Sequence, residues 1–220
     1  MFMENKTNAF VCNSRAFLAR TLTLKKMTSR KSCKAILLGD SNCGKTSLWK
    51  KHTETGTNYD HIPTVFEFLE TIIFLDKNLE VKLTIWDTPG SSEFDHVRLL
   101  SFDGVDVFVL CFDLNLPESL ENVQTKWAKE AKTFSPSTPI VLCGCKCDLH
   151  DVNKCDKEMI DKVIQQIDSS VYIECSSQNN KNVEEIFKTI SLLAIGETNK
   201  IKSEFKCKTK KKNVNRCCVT

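Results

Sequence analysis

Gly39 to Thr46, GDSNCGKT, is the stretch that most narrows what this chain can become. It lies between an apolar run, Ala35-Ile36-Leu37-Leu38, and a helix-like run, Ser47-Leu48-Trp49-Lys50-Lys51. A strand, a glycine-bounded loop and a helix start, in that order, are the context of a phosphate-binding loop. Backbone N–H groups in such a loop converge on an anion, and the helix N-terminus adds partial positive charge. Gly39 and Gly44 let the backbone come close, and Ser41, Asn42, Cys43 and Ser47 complete the cradle. Lys45 would reach the outer phosphates, and the Thr46 hydroxyl would hold Mg²⁺.

Strand-like runs follow at Phe66–Leu75, Val81–Trp86, Val105–Phe112, Ile140–Cys143 and Val171–Glu174, after the first at Ala35–Leu38. Helix-like runs fall between them at Thr46–Lys51, Leu120–Lys132, Lys157–Ile167 and Val183–Ile195. Asp76-Lys77-Asn78 reads as a hairpin turn between the second and third strands. The remaining alternation predicts βαβ units, hence an α/β fold with a mostly parallel six-stranded sheet and helices on both faces. Val105–Phe112 is almost wholly apolar, as a central strand covered on both sides must be. Ligands of such sheets bind at the C-terminal ends of the strands, and each further motif falls there.

Trp86-Asp87-Thr88-Pro89-Gly90 closes the third strand. Asp87 would hold Mg²⁺ through water, and the Gly90 N–H would meet a γ-phosphate. In Ile62-Pro63-Thr64-Val65-Phe66-Glu67, the Thr64 hydroxyl could join Thr46 on the metal only while a γ-phosphate is present, so this loop would order and release with the nucleotide. Gly144-Cys145-Lys146-Cys147-Asp148-Leu149 follows the fifth strand. A carboxylate at Asp148 can accept two hydrogen bonds from the N1–H and 2-amino group of guanine. A site built on such bonds discriminates by roughly 10⁴. The stem of Lys146 can cover the base plane. Ser176 and Ser177, in Glu174-Cys175-Ser176-Ser177, could offer backbone N–H groups to the guanine O6. Cys143-x-Cys145-x-Cys147 invites a metal reading, since alternate strand residues share a face. The run has no partner pair at zinc-site spacing, however, and is read as strand.

Charge is segregated. Residues 1–31 carry seven Lys/Arg against one Glu, and residues 197–220 eight against two; the other 16 basic and 25 acidic residues leave 32–196 at −9. Basic ends on an acidic domain point to an anionic surface, membrane or nucleic acid. Of the twelve cysteines, several fall in or beside strand-like runs and three lie near the C-terminus. No secreted framework or signal peptide is evident, which fits a reducing cytosol. The organisation expected is a basic, disordered extension over 1–31, a domain over 32–196 and a tail over 197–220. For the extension, a membrane-surface helix and a mitochondrial presequence stay open. Cys217-Cys218-Val219-Thr220 has the form of a prenylation box with Cys217 as acceptor, and Cys207 is a palmitoylation candidate. One lipid chain binds only reversibly, and the basic tail supplies the second signal.

These pieces, in this order, resemble the Ras superfamily of small GTP-binding proteins over roughly residues 33–196. The wording is Rho-like: PTVFE, FDHVRLLSF, DVFVLCFD and ENVQTKW, the last with Trp127. GDSNCGKT, DTPGSSEFDHVR, CFDLNLPESL and GCKCDL are most similar to the Rnd (RhoE-like) subgroup. The resemblance implies the P-loop NTPase small G-protein fold, GTP or GDP with Mg²⁺, and signalling to actin. Its partners would be Rho-pathway effectors, GAP-type regulators and kinases. The effector surface would be Pro63, Thr64, Val65, Phe66, Glu67 and Phe68 together with Phe94–Phe102.

Departures from the pattern are informative. Ser41 stands where Ras-type switches have a glycine, and would crowd an arginine finger. Ser91 stands where hydrolysing members carry the glutamine that orients water, and Pro89 stiffens the loop before Gly90. No catalytic set is intact. Cys145 replaces the asparagine of the guanine motif, and Thr57 replaces a base-stacking aromatic, with Tyr59 close by. The 26 residues between Asp148 and Cys175 are too few for the Rho insert helix. The expected protein is a monomer on the cytoplasmic face of the plasma membrane with a cytosolic pool. It would be held GTP-bound, hydrolyse little, engage no nucleic acid and regulate cell shape through effectors. The alternatives are a slowly cycling GTPase and a scaffold that holds no nucleotide.

Overall fold

The structure is a computed structural model that describes residues 29–53, 67–76, 79–149 and 154–201. Six strands form one sheet: β1 (Ser29–Leu38), β2 (Glu67–Asp76), β3 (Leu79–Asp87), β4 (Val107–Asp113), β5 (Ile140–Cys145) and β6 (Val171–Glu174). Their order across the sheet is β2-β3-β1-β4-β5-β6. Only the β2–β3 pair is antiparallel, as a hairpin between them requires. The turn residues Lys77 and Asn78 lie outside the described residues. The six strands and their mixed direction match the pattern in the sequence.

The helices are α1 (Lys45–His52), α2 (Asp95–Leu100), α3 (Pro117–Asn122), α4 (Ala128–Phe134), α5 (Lys157–Ile167) and α6 (Val183–Ala194). Val123–Trp127, between α3 and α4, is a π-helical segment. The predicted helix over 120–132 is thus longer, running through 117–134, and is widened in its middle. Pro117 opens it at the first turn, where its missing N–H costs nothing. The Asp156 carboxylate caps α5 by accepting from the Met159 N–H at 2.8 Å.

Strand alternation divides the core into two layers. Ala35, Leu37, Val109, Cys111, Val141 and Cys143 point to the face covered by α1 and α6, where Leu48, Ile186, Phe187 and Ile190 complete the layer. Ile36, Leu38, Phe108, Leu110, Phe112 and Leu142 point to the other face, covered by Leu120, Val123, Trp127, Ile160 and Ile164. Burial on both faces is why β4 carries no surface residue before its last position. The parallel strands therefore end at one edge, and the loops that leave it carry the site.

Candidate functional site

The loop from Gly39 to Gly44 links β1 to α1. Gly39 takes φ 150°, Asn42 φ 64° and Gly44 φ 114°. At Gly39 a Cβ would sit 2.2 Å from the Cys111 carbonyl oxygen. Glycine is therefore required there both for its φ and for its close approach to β4. Ser41, Asn42 and Ser47 are exposed, whereas Cys43 and Lys45 are buried. The Lys45 ammonium donates to the Gly39 carbonyl at 2.9 Å and the Asp40 carbonyl at 2.8 Å, which folds the side chain back over the loop. A concave loop at a helix N-terminus with a buried ammonium can hold a polyphosphate.

Two braces that the motif does not reveal hold this loop. The Asp40 carboxylate accepts from the Trp127 indole N–H and the Asn122 amide, each at 2.8 Å. Five residues apart, these donors would point about 140° away from each other around a regular α-helix. The widened turn over Val123–Trp127 brings both to Asp40. From below, Cys145 packs under Gly44, its Cβ 3.1 Å from where a Gly44 Cβ would stand. Cys145 is buried, so it serves as the floor of the loop and not as an open wall of the pocket.

Asp87 ends β3 beside the loop. Its carboxylate accepts from the Thr46 hydroxyl at 2.6 Å and from the Trp49 indole at 2.9 Å. A hydroxyl and a carboxylate together are hard oxygen donors of the kind Mg²⁺ takes, so these residues fit that ion. Gly90 follows closely: a Cβ there would lie 2.2 Å from the Ser41 nitrogen. The segment 89–91 is tied down by Arg98 of α2, a residue that sequence reading placed on an effector surface. Arg98 is fully buried. It donates to the Pro89 carbonyl at 3.0 Å and to both carboxylate oxygens of Glu130, and its guanidinium lies 4.7 Å from the Trp127 ring centre. Phe102 is also buried, so the expected surface over 94–102 is corrected to its exposed members, such as Val97, Leu99 and Leu100.

On the far side, the loops after β5 and β6 meet through the Cys147 N–H and the Cys175 carbonyl at 3.0 Å. Lys146 takes φ 58°, and its ammonium pairs with Asp113 at 2.8 Å. That pairing draws the lysine stem toward the end of β4. Asp148 is half-buried and Leu149 exposed. Ser176 is buried, and its hydroxyl accepts from the Asn179 N–H at 3.2 Å; Ser177 stands half-buried beside it. The left-handed turn at Lys146 breaks the strand alternation. Cys147 therefore joins the opposite core layer from Cys143 and Cys145, which corrects the reading that all three share a face. Among the described residues, Cys145 is the thiol whose pKa is held below its ordinary value. Hydrogen bonds from Cys111, Cys143 and Cys175 favour its thiolate, with Lys45 assisting and burial opposing.

The structure thus brings Gly39–Ser47, Asp87–Ser91, Cys145–Leu149 and Ser176–Ser177 to one sheet edge. Thr57, Tyr59, Pro63, Thr64, Val65, Phe66, Cys207 and Cys217 lie outside the described residues, as do residues 1–28 of the extension expected over 1–31; its last three residues, 29–31, instead begin β1. Glu67 and Phe68 begin β2, where Phe68 stacks on Trp86 at 5.4 Å and is largely exposed.

Residues 34–195 match the sequence profile of the Ras family. The chain belongs to that family. Among curated relatives, the Rho-related GTP-binding protein RhoE of Homo sapiens is 35% identical over 181 residues, 76% of this chain and 74% of the relative. GTP-binding protein rho5 of Schizosaccharomyces pombe is 35% identical over 175 residues, 74% of this chain and 87% of the relative. Within the Ras family the chain is therefore a Rho-type, RhoE-like small GTPase, a guanine-nucleotide-binding protein of signal transduction.

Proposed function

We propose that this Rho-type protein is held in the GTP-bound state, hydrolyses GTP very slowly, and signals to the actin cytoskeleton by binding effectors. The observation that carries this reading is a division within the site. Lys45, Thr46 and Asp87 stand together at the loop, while Ser41, Pro89 and Ser91 occupy the positions on which cleavage depends. A serine hydroxyl is one carbon from the backbone, too short for the water-orienting role of a glutamine. The Ser91 backbone is extended and its carbonyl accepts from Arg98, which keeps the segment close to α2.

Bound at Thr46 and Asp87, with Thr64 joining, Mg²⁺ would neutralise phosphate charge. The chain's own part is to cradle the phosphates with loop N–H groups, place the Lys45 ammonium beside them, and read guanine with Asp148 under the Lys146 stem. Exposed Phe68 and the exposed face of α2 would form the effector surface with residues 63–67. Prenylation at Cys217, a basic tail and palmitoylation at Cys207 would hold the protein on the cytoplasmic face of the plasma membrane, with a cytosolic pool.

The test is chromatography of the nucleotide released when the purified protein is denatured. GTP is expected. Predominant GDP would mean a cycling switch, and no nucleotide would mean a scaffold; either outcome overturns the proposal. Replacing Cys217 by Ser should move the protein from the membrane to the soluble fraction.

A further inference from the structure

Five buried thiols gather beneath the phosphate-binding loop: Cys43, Cys111, Cys143, Cys145 and Cys175. Cys111 and Cys143 face each other in the β4–β5 register. Cys145 is the next residue on that face of β5, and Cys175 follows β6. The Cys143 and Cys175 sulfurs are 3.4 Å apart, and Cys145 lies 3.9 Å from each of them. The sulfurs of Cys111, Cys143 and Cys145 all lie within 4.8 Å of one another.

We propose that Cys111, Cys143 and Cys145, with Cys175 as a fourth donor at hand, form a binding site for one soft, thiophilic cation of the zinc type. A zinc–sulfur bond of about 2.3 Å sets tetrahedral sulfurs about 3.8 Å apart. The separations of Cys143, Cys145 and Cys175 lie at 3.4–3.9 Å, and Cys111 lies within 4.8 Å of Cys143 and Cys145, so closing the three-sulfur site needs shifts of about an ångström or less. A lone buried cysteine is ordinary apolar filler. Here the sulfurs converge from β4, β5 and the residue that follows β6, and all are buried, a preorganised arrangement. Sequence spacing could not show this, because only Cys145 among the partners of Cys143 belongs to the Cys-x-Cys-x-Cys run, while Cys111 and Cys175 are brought in from β4 and from the end of β6.

Sulfur donors select soft cations over Mg²⁺, whose oxygen donors stand apart at Thr46 and Asp87. Each ligating thiol gives up its proton. A divalent cation on three thiolates therefore releases three protons and leaves one net negative charge in the core. Lys45, with its ammonium 4.0 Å from the Cys43 sulfur, supplies a buried positive charge on the same side. The roof of the site is Gly44 over Cys145, so the cation would enter when the loop opens or during folding.

The experiment uses the full chain with Cys12, Cys207, Cys217 and Cys218 replaced by Ser, reduced and refolded with Cd²⁺ as probe. The expected result is one cadmium per chain after desalting, an ultraviolet thiolate-to-cadmium band, and retention of both under millimolar Mg²⁺. Cys143→Ala and Cys111→Val should each weaken binding at least tenfold and reduce the band at limiting cadmium, while Cys33→Ser and Cys155→Ser change neither. Absence of the band, or a band of full strength in folded Cys143→Ala, overturns the proposal. If the cluster variants do not fold, X-ray absorption on the cadmium-loaded parent decides. Three or four sulfur neighbours support the site, and fewer than three overturn it.

Discussion

Replacing Arg98 by Met should destabilise the protein by about 3 kcal/mol. The Arg98 side chain is completely buried, and that of Glu130 is 20% exposed. The pair is bidentate, with Nε–Oε2 at 3.1 Å, Nη2–Oε1 at 3.0 Å and Nη2–Oε2 at 3.1 Å. Removing one partner of a buried ion pair costs about 3–5 kcal/mol, because the other charge is left uncompensated. Partial exposure of Glu130 lets water recover some of that, which places the expected value at the lower end. Methionine keeps most of the aliphatic volume, so little of the loss is a cavity effect. In a chain of this size, about 3 kcal/mol corresponds to a fall in Tm of roughly 6–12 °C.

A double-mutant cycle isolates the pair. Arg98→Met, Glu130→Gln and the double variant are unfolded by denaturant at equal, saturating GTP–Mg²⁺, since bound ligand itself raises apparent stability. The coupling energy should be about 2 kcal/mol, within the range for contacting groups. Arg98→Lys keeps the charge but not the fork, and should fall between wild type and Met. Amide exchange at Ser91–Phe94 should quicken in the Met variant, because the Pro89 and Ser91 carbonyls lose their donor. A coupling below about 0.5 kcal/mol would refute the reasoning, since that is the scale of an exposed pair.

Four other substitutions or conditions probe the loop and its surroundings. Gly90→Ala places a Cβ 2.2 Å from the Ser41 nitrogen; it should cost about 1–3 kcal/mol and raise the nucleotide Kd, read by thermal shift and fluorescent-nucleotide titration. Asp40→Ala strands the buried indole N–H of Trp127; a loss of about 1–3 kcal/mol should accompany a shift in tryptophan emission. His52 lies 4.2 Å from the Phe187 ring, and burial depresses its pKa below the ordinary 6.5 while Glu184 opposes. Its contribution to stability is therefore full above pH 6.5 and lost as pH falls through the folded value, so Tm should decline less steeply between pH 7 and 5 in His52→Phe. Burial pushes the Cys43 thiol up to about 12, with Lys45 only partly offsetting it; alkylation at pH 7.5 should spare Cys43 in the folded protein and label it on unfolding.

The sheet was legible because its signals are local. An almost unbroken apolar run gives β4, and a glycine-bounded loop between strand and helix gives the cradle. The braces were not legible because each depends on strand order or helix geometry. Arg98 reads as a surface charge in FDHVRLLSF, and only the packing of α2 against α4 makes it a buried anchor. Asp40 reads as a variable loop position until a widened turn delivers Asn122 and Trp127 to the same side. Lys146 hides a left-handed turn, since only glycine advertises that conformation and lysine does not. The consequence is that Cys147 leaves the face of Cys143 and Cys145, while Cys111 and Cys175 join it across the sheet.

On the proposed reading, the braces would let a family site lose cutting groups without losing its cradle. Asp40 is held from the helix side, Gly44 rests on Cys145, and Lys45 is fixed by the loop's own carbonyls. None of these contacts uses the side chain of Ser41, Pro89 or Ser91. Ser41 is exposed, and the Pro89 and Ser91 positions are anchored through backbone carbonyls that any residue would present. The Ser41 and Ser91 side chains are thus free to change with little effect on the cradle's geometry, whereas Pro89 is itself buried. At Gly90, Asp87 and Thr46 side-chain identity is not free, because there either the missing Cβ or the oxygen donor is itself the contact. On the proposed reading, binding and cleavage would therefore be separable in this architecture, because they would draw on different atoms of the same loops.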